Sequence, residues 1–265
     1  DTTVSAWHGK GSLTLTRFDV APWFNRPDRP SDISGRVDFD MDLELGRAIP
    51  RGSYMFNGSH AAYVGYEGDN LRVRGTVTAK EWRIAAGTGT AYGAAMTLAA
   101  GSIKLASPYG FHFAGTASGV DLRALPLSIP VPHVESVLAF DYVADGRFVD
   151  AYLLGRATFA ESEFIGSRIG AGTSGTIDTA ATPIHYAGEG DVRHVDIHRY
   201  GEALDVAWMQ DPRYAGTLSG HFTVDVQGSD SASMILTANG HLDQADFFKG
   251  TLADAAVDVT IVRGT

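Results

Sequence analysis

The chain has no cysteine. That excludes disulfide staples and thiolate metal sites, and it is compatible with an oxidising compartment without requiring one. No stretch approaches the roughly 18 apolar residues of a membrane helix. Helical periodicity is scarce. The best candidate is 201–210, where Leu204, Ala207 and Trp208 share a face and Pro212 ends the run; a shorter one is 21–25. No Gly-x-Ser-x-Gly elbow and no phosphate-cradling glycine loop occurs, so neither nucleophilic nor nucleotide chemistry is signalled. Clustered cations are lacking too. The net charge is −10, with 11 basic and 11 acidic residues in 1–100 but 10 and 20 in 101–265. Nucleic acid and anionic membrane surfaces are therefore disfavoured as partners. Trp7, Trp23, Trp82 and Trp208 are spread too evenly to form a stacking platform.

What the chain has is glycine, 31 residues of it, and alternation. In Val37–Leu45 every odd position is apolar and every even one acidic. Successive strand side chains point to opposite faces, so Asp38, Asp40, Asp42 and Glu44 share one face and the apolar residues the other. Similar strands run over 71–79, 221–227, 232–242 and 257–261. Those at 138–143 and 148–159 are apolar on both faces and are expected to be buried. Turn chemistry falls at Glu67–Asn70, Ala144–Gly146, Gly188–Gly190, Gln227–Asp230 and Asn239-Gly240. The count is on the order of 14 strands. Strand parity assigns Phe39, Met41, Leu43, Val73, Val77, Phe140, Phe222, Val224, Met234, Leu236, Val257 and Val259 to the apolar faces of their own segments.

The polar residues point to little chemistry. His194 and His198, with His185 upstream, have a spacing that shares a metal on a helix; on a strand it separates them by about 13 Å. The segment has strand character, so they are expected as polar-face histidines. The acidic strand holds its carboxylates about 7 Å apart without a calcium-loop motif, which fits a solvated face. Asn57-Gly-Ser59 matches the short glycosylation acceptor pattern. No catalytic residue, metal ligand or cofactor is assigned.

A degenerate repeat organises the chain. Gly75–Trp82, Gly155–Ser162 and Gly240–Phe247 each begin with Gly and carry a carboxylate six places on, at Glu81, Glu161 and Asp246; they start 80 and 85 residues apart. A second frame, apolar-Asp-apolar, occurs at Phe18–Val20, Val120–Leu122 and Val195–Ile197. Each is followed by a Pro-containing connector and a new strand. In the middle repeat that connector is the run Leu125–Pro132, expected to be extended. The approximate repeats are 1–100, 101–185 and 186–265, in one continuous β domain. The chain opens on Asp1 and closes on Thr265 just after a strand, which is the expectation for a piece of a longer protein.

With the amphipathic strands Ser34–Phe39 and Leu218–Val224 and the segment Gly240–Asp246, this pattern resembles the AsmA-like and TamB-like family of bacterial envelope proteins. The resemblance implies an all-β fold: a long, strongly curved, mostly antiparallel sheet, the open β-taco groove, with few short helices, greasy inside and polar outside. It implies a periplasmic or envelope location, tethering to a membrane through a segment outside this chain, and a part in lipid transport or outer-membrane assembly. Phospholipid or another acyl lipid is then the ligand along the apolar positions named above, and outer-membrane assembly proteins are further partners. Two other readings stand beside it: a β-sandwich or β-helix adhesin, and a glycan-active enzyme on a β scaffold. An open apolar groove, a filled core, or a polar cleft with convergent carboxylates distinguishes the three.

Overall fold

The computed structural model describes residues 6–24, 30–44, 50–63, 65–129, 131–150, 152–228, 235–247 and 250–262. The chain is all-β. Sixteen strands form one antiparallel sheet, and the single α-helix among the described residues has seven residues. Six long strands come first: β1 (Ala6–Phe18), β2 (Ser31–Glu44), β3 (Arg51–Tyr63), β4 (Tyr66–Val77), β5 (Glu81–Ala91) and β6 (Ala94–Lys104). Then come β7 (Gly110–Val120), β8 (Ser136–Arg147), β9 (Tyr152–Phe159), β10 (Ser162–Phe164), β11 (Ser167–Ile169) and β12 (Ser174–Asp178). The last stretch is β13 (His185–Asp196), α1 (Ile197–Ala203), β14 (Gly216–Gln227), β15 (Ile235–Phe247) and β16 (Gly250–Val262). The sheet follows chain order except that β9 and β12 lie off the main path, β9 on β8 and β12 on β9 and β13.

Two compact units are present, residues 1–116 with 145–150, and 117–144 with 151–265. The first is a meander. The second closes a small core of Val120, Leu122, Val134, Leu138, Ile165 and Ile197, all buried.

The apolar-Asp-apolar frame is a capping device. Asp19 Oδ1 accepts the backbone N–H groups of Ala21 (3.0 Å) and Ser31 (2.9 Å), while Ser31 Oγ accepts the N–H of Val20 (2.8 Å). Asp121 accepts the N–H of Arg123 (3.1 Å), and Ser136 Oγ accepts the N–H of Leu122 (2.9 Å). Asp196 accepts the N–H of Arg199 (3.1 Å) as N-cap of α1. Each carboxylate satisfies donors that a helical start leaves bare. Two residues before each Asp the backbone turns left-handed, at Arg17 (φ 48°), Gly119 (φ 71°) and His194 (φ 58°). In the first and third copies a serine on the next strand accepts that residue's N–H, Ser34 at 3.0 Å and Ser219 at 2.9 Å. The device follows β1, β7 and β13, so it recurs every sixth strand.

Several local expectations are corrected. Glu67–Asn70, Ala144–Gly146, Gly188–Gly190 and Asn239-Gly240 lie inside strands, not at turns. The helix begins at Ile197, four residues before the expected start, because Asp196 caps it there. Leu125–Pro132 is not extended throughout: the Ile129 N–H donates to the Pro126 carbonyl (3.0 Å), closing a turn. The expected buried strand 148–159 begins only at Tyr152. Phe148 and Val149 are exposed in a turn that the Arg147–Asp150 ion pair (2.8 Å) spans.

Candidate functional site

Directly opposed residues of antiparallel strands point to the same face, so the register decides which apolar residues meet. In the first unit Val37 pairs with Leu13 and Phe56, Phe39 with Gly11 and Tyr54, Met41 with Gly9 and Gly52, and Leu43 with Trp7. Phe56 then pairs with Val73, and Gly52 with Val77. Val77 pairs with Trp82, and Val73 with Gly87. Phe39, Met41, Leu43, Val73 and Val77 therefore share one face across β1 to β5.

In the second unit the ring of Phe140 lies 5.4 Å from that of Phe159. A Cβ built on Gly175 would stand 3.6 Å from the Phe159 ring. Gly175 pairs with Gly188, Gly188 with Val224, and Val224 with Ala238. Phe222 pairs with Gly190 and Gly240, and Gly240 with Val257. Leu236 pairs with Val226, and Val259 with Ala238. Phe140, Phe222, Val224 and Val257 thus share a face, with the backbone positions of Leu236 and Val259 in register with it. Met234 lies outside the described residues.

Glycine is what shapes these faces. Phe39 lies against Gly11, Leu98 against Gly87 and Ile177 against Gly155, at 3.2, 3.2 and 2.8 Å from an ideal Cβ. A large side chain from one strand fills the gap over a glycine of the next, the pairing that rescues glycine within sheets. The side chains cover one another only in part: Val37, Phe39, Met41, Phe56, Val73 and Val77 are half-buried. Trp7 is 62% exposed, Leu13 56% and Trp82 43%, whereas Tyr54 and Gly87 are the face residues named in the first unit that count as buried. The accessible surface is 16447 Å². Two separate globular domains of half this mass would expose only about 13,500 Å² between them. In the second unit the face dips into an apolar depression of about 190 Å³ lined by Val192, Leu218, Phe222, Leu242 and Val257. Compared with family models, curated proteins and solved structures, the chain matches none.

The opposite face is ionic. His8 lies 2.8 Å from Asp42, Lys10 3.5 Å from Asp40 and Arg36 2.9 Å from Asp38, so cations on neighbouring positions take up the acidic strand's carboxylates. The three histidines weighed as metal ligands and expected on a polar face do not converge. His185 pairs with Asp225 (2.6 Å), His194 sits in the left-handed bulge that ends β13, and His198 faces Glu202 (3.7 Å) on α1. A concavity of about 570 Å³ carries Glu161, Glu163 and Asp191, but Arg168 and Arg193 stand among them, and Arg168 is directly opposite Glu163. Of the repeat carboxylates, Glu81 pairs with Lys104 (3.0 Å) and Glu161 lines this concavity.

Two cross-strand histidines give the polar face a pH signature. His60, opposite Asp69, and His221, opposite Asp191, titrate above the ordinary histidine value, each chiefly through the hydrogen bond to that aspartate. The folded chain holds the protonated forms more tightly than the unfolded chain does. Their contribution is complete below about pH 6.5 and is lost as pH rises through the higher folded values. The melting temperature should fall across that window, and the double variant His60→Gln/His221→Gln should flatten the fall. An unchanged slope would show that the pairs are energetically idle.

Proposed function

We propose that this protein binds lipid acyl chains along the bare apolar face of its sheet and serves lipid movement or outer-membrane assembly in a bacterial cell envelope. The observation that carries the reading is the partly uncovered face: apolar side chains in continuous register within each unit, over glycines, with the cross-strand ion pairs described above on the other side. Such a face stays costly in water until something covers it. An acyl chain covers it without polar contacts, and each buried methylene contributes about 0.8 kcal/mol. The resemblance to AsmA-like proteins supports the envelope setting and a tether beyond this chain. The protein is then a binding module, not an enzyme.

Photo-crosslinking residues at Val73 and Val224 should capture acyl chains from native membranes. The same probes at Arg72 and Thr223, one residue away on the polar face, should capture little. Equal labelling at all four positions, or none at any, would sink the reading in favour of an adhesin-like structural sheet.

A further inference from the structure

Three large side chains stand in the open on two adjacent loops of the first unit. Tyr109 is 47% exposed, Phe148 58% and Val149 64%. The N–H of Phe148 donates to the Tyr109 carbonyl (3.3 Å), which ties the loop before β7 to the loop after β8. Behind them runs a ladder of rings. The Phe148 ring centre is 4.8 Å from that of Phe111, and Phe111 is 5.5 Å from Phe113. Phe113 lies over Gly101, 3.0 Å from an ideal Cβ, and Gly101 pairs with Ile84. Ile84 in turn pairs with Gly75, and Gly75 with Tyr54, on the apolar face. The exposed tip is therefore joined to the face described above, by rings as far as Phe113 and by strand register beyond it.

We propose that this tip docks on a lipid bilayer and that acyl chains pass between the bilayer and the apolar face along Phe148, Phe111 and Phe113; the passage rests on the acyl-binding reading. Size points to a bilayer and not to a protein. Three half-exposed side chains offer on the order of 300 Å², against about 800 Å² per partner in a stable protein interface. Insertion at the headgroup level needs no such area and favours aromatic side chains. Charge plays no attractive part. Arg147 is held by Asp150 (2.8 Å) and Lys104 by Glu81 (3.0 Å), and the chain is anionic. The bilayer surface that fits is zwitterionic.

The absence of cysteine makes the test simple. Val149→Cys provides a single position for an environment-sensitive dye, and Val137→Cys, 57% exposed on the polar face, provides the control. Phosphatidylcholine vesicles should shift the dye at position 149 to the blue and leave the one at 137 unchanged. Tyr109→Ser/Phe148→Ser/Val149→Ser should reduce vesicle cosedimentation about tenfold or more while keeping the wild-type circular dichroism spectrum. Adding phosphatidylglycerol should not strengthen binding. Equal responses at 149 and 137, no response at either, or unchanged sedimentation of the triple variant would overturn docking. Lipid loading followed by native mass spectrometry separates the two ideas. The triple variant should load like wild type from detergent but not from vesicles. Equal loading from vesicles overturns the tip's role and leaves acyl binding standing. No loading in either protein, with the dye at 149 still entering vesicles, removes acyl binding and the passage but leaves docking.

Discussion

Gly75→Ala should unfold at a much lower urea concentration than wild type, with a loss of about 3 kcal/mol. Gly75 is buried in β4, at the irregularity where β4 meets β5. A Cβ there would stand 1.9 Å from the Arg83 carbonyl oxygen and 2.8 Å from the Tyr54 hydroxyl. The carbonyl is backbone and cannot swing aside, so the two strands must part. The hydrogen bond that Tyr54 donates to the same carbonyl (3.3 Å) goes with them. Gly9→Ala is the matched control: it lies on the same face, but its nearest neighbour atom, on Phe39, is 3.8 Å from the ideal Cβ. It should change stability by less than about 0.5 kcal/mol. Equal losses in the two variants would mean that glycine's backbone freedom matters here and the close approach does not.

Ile165 gives the second large effect and an inverted order. It occupies the β10–β11 turn with φ 51°, followed by Gly166 at φ 80°, and is 3% exposed. A β-branched residue in the left-handed region is strained. The surroundings hold it there. Its N–H donates to the Glu135 carbonyl (2.9 Å), the Tyr200 hydroxyl donates to the Phe164 carbonyl (3.1 Å), and Arg199 of α1 reaches across Gly166 to Glu135 (2.9 Å). Ile165→Ala removes buried methyl groups but keeps the strain, for a loss of about 3 kcal/mol. Ile165→Gly removes the β-carbon as well but releases the strain. At an ordinary strand position glycine costs roughly 0.5–1 kcal/mol more than alanine. Here the glycine variant should be at least as stable as the alanine variant in denaturant titration. The ordinary order would show that the turn carries no backbone strain.

Glycine is also where sequence reasoning went astray. Asn239-Gly240 and Gly188–Gly190 carry the composition of hairpin turns, yet both lie in mid-strand. Gly240 pairs with Phe222 and Gly188 with Val224. Their function is to admit a neighbour's side chain, and nothing local to either segment announces which neighbour that is. The connectors show the opposite case. The recurrence of an apolar-Asp-apolar frame marked the three places where strands end, because an aspartate that caps a helical start does so within its own few residues. The left-handed residue two places before it has no local signature in the first and third copies, since Arg17 and His194 are not glycines. The exposed tip at Tyr109 and Phe148 has none either, because an apolar run at 148–159 has the same composition whether it is strand or loop.

What the sequence by itself determined is the division of the amphipathic strands, Val37–Leu45 above all, into an apolar and a charged face. That division has period two along the chain, and every residue needed to see it lies within the strand. Only the tertiary structure decided which faces adjoin, that glycines seat the large side chains between strands, and how far the apolar face is covered. Those depend on register between segments and on the presence or absence of a covering layer, and neither is encoded in any one segment's alternation.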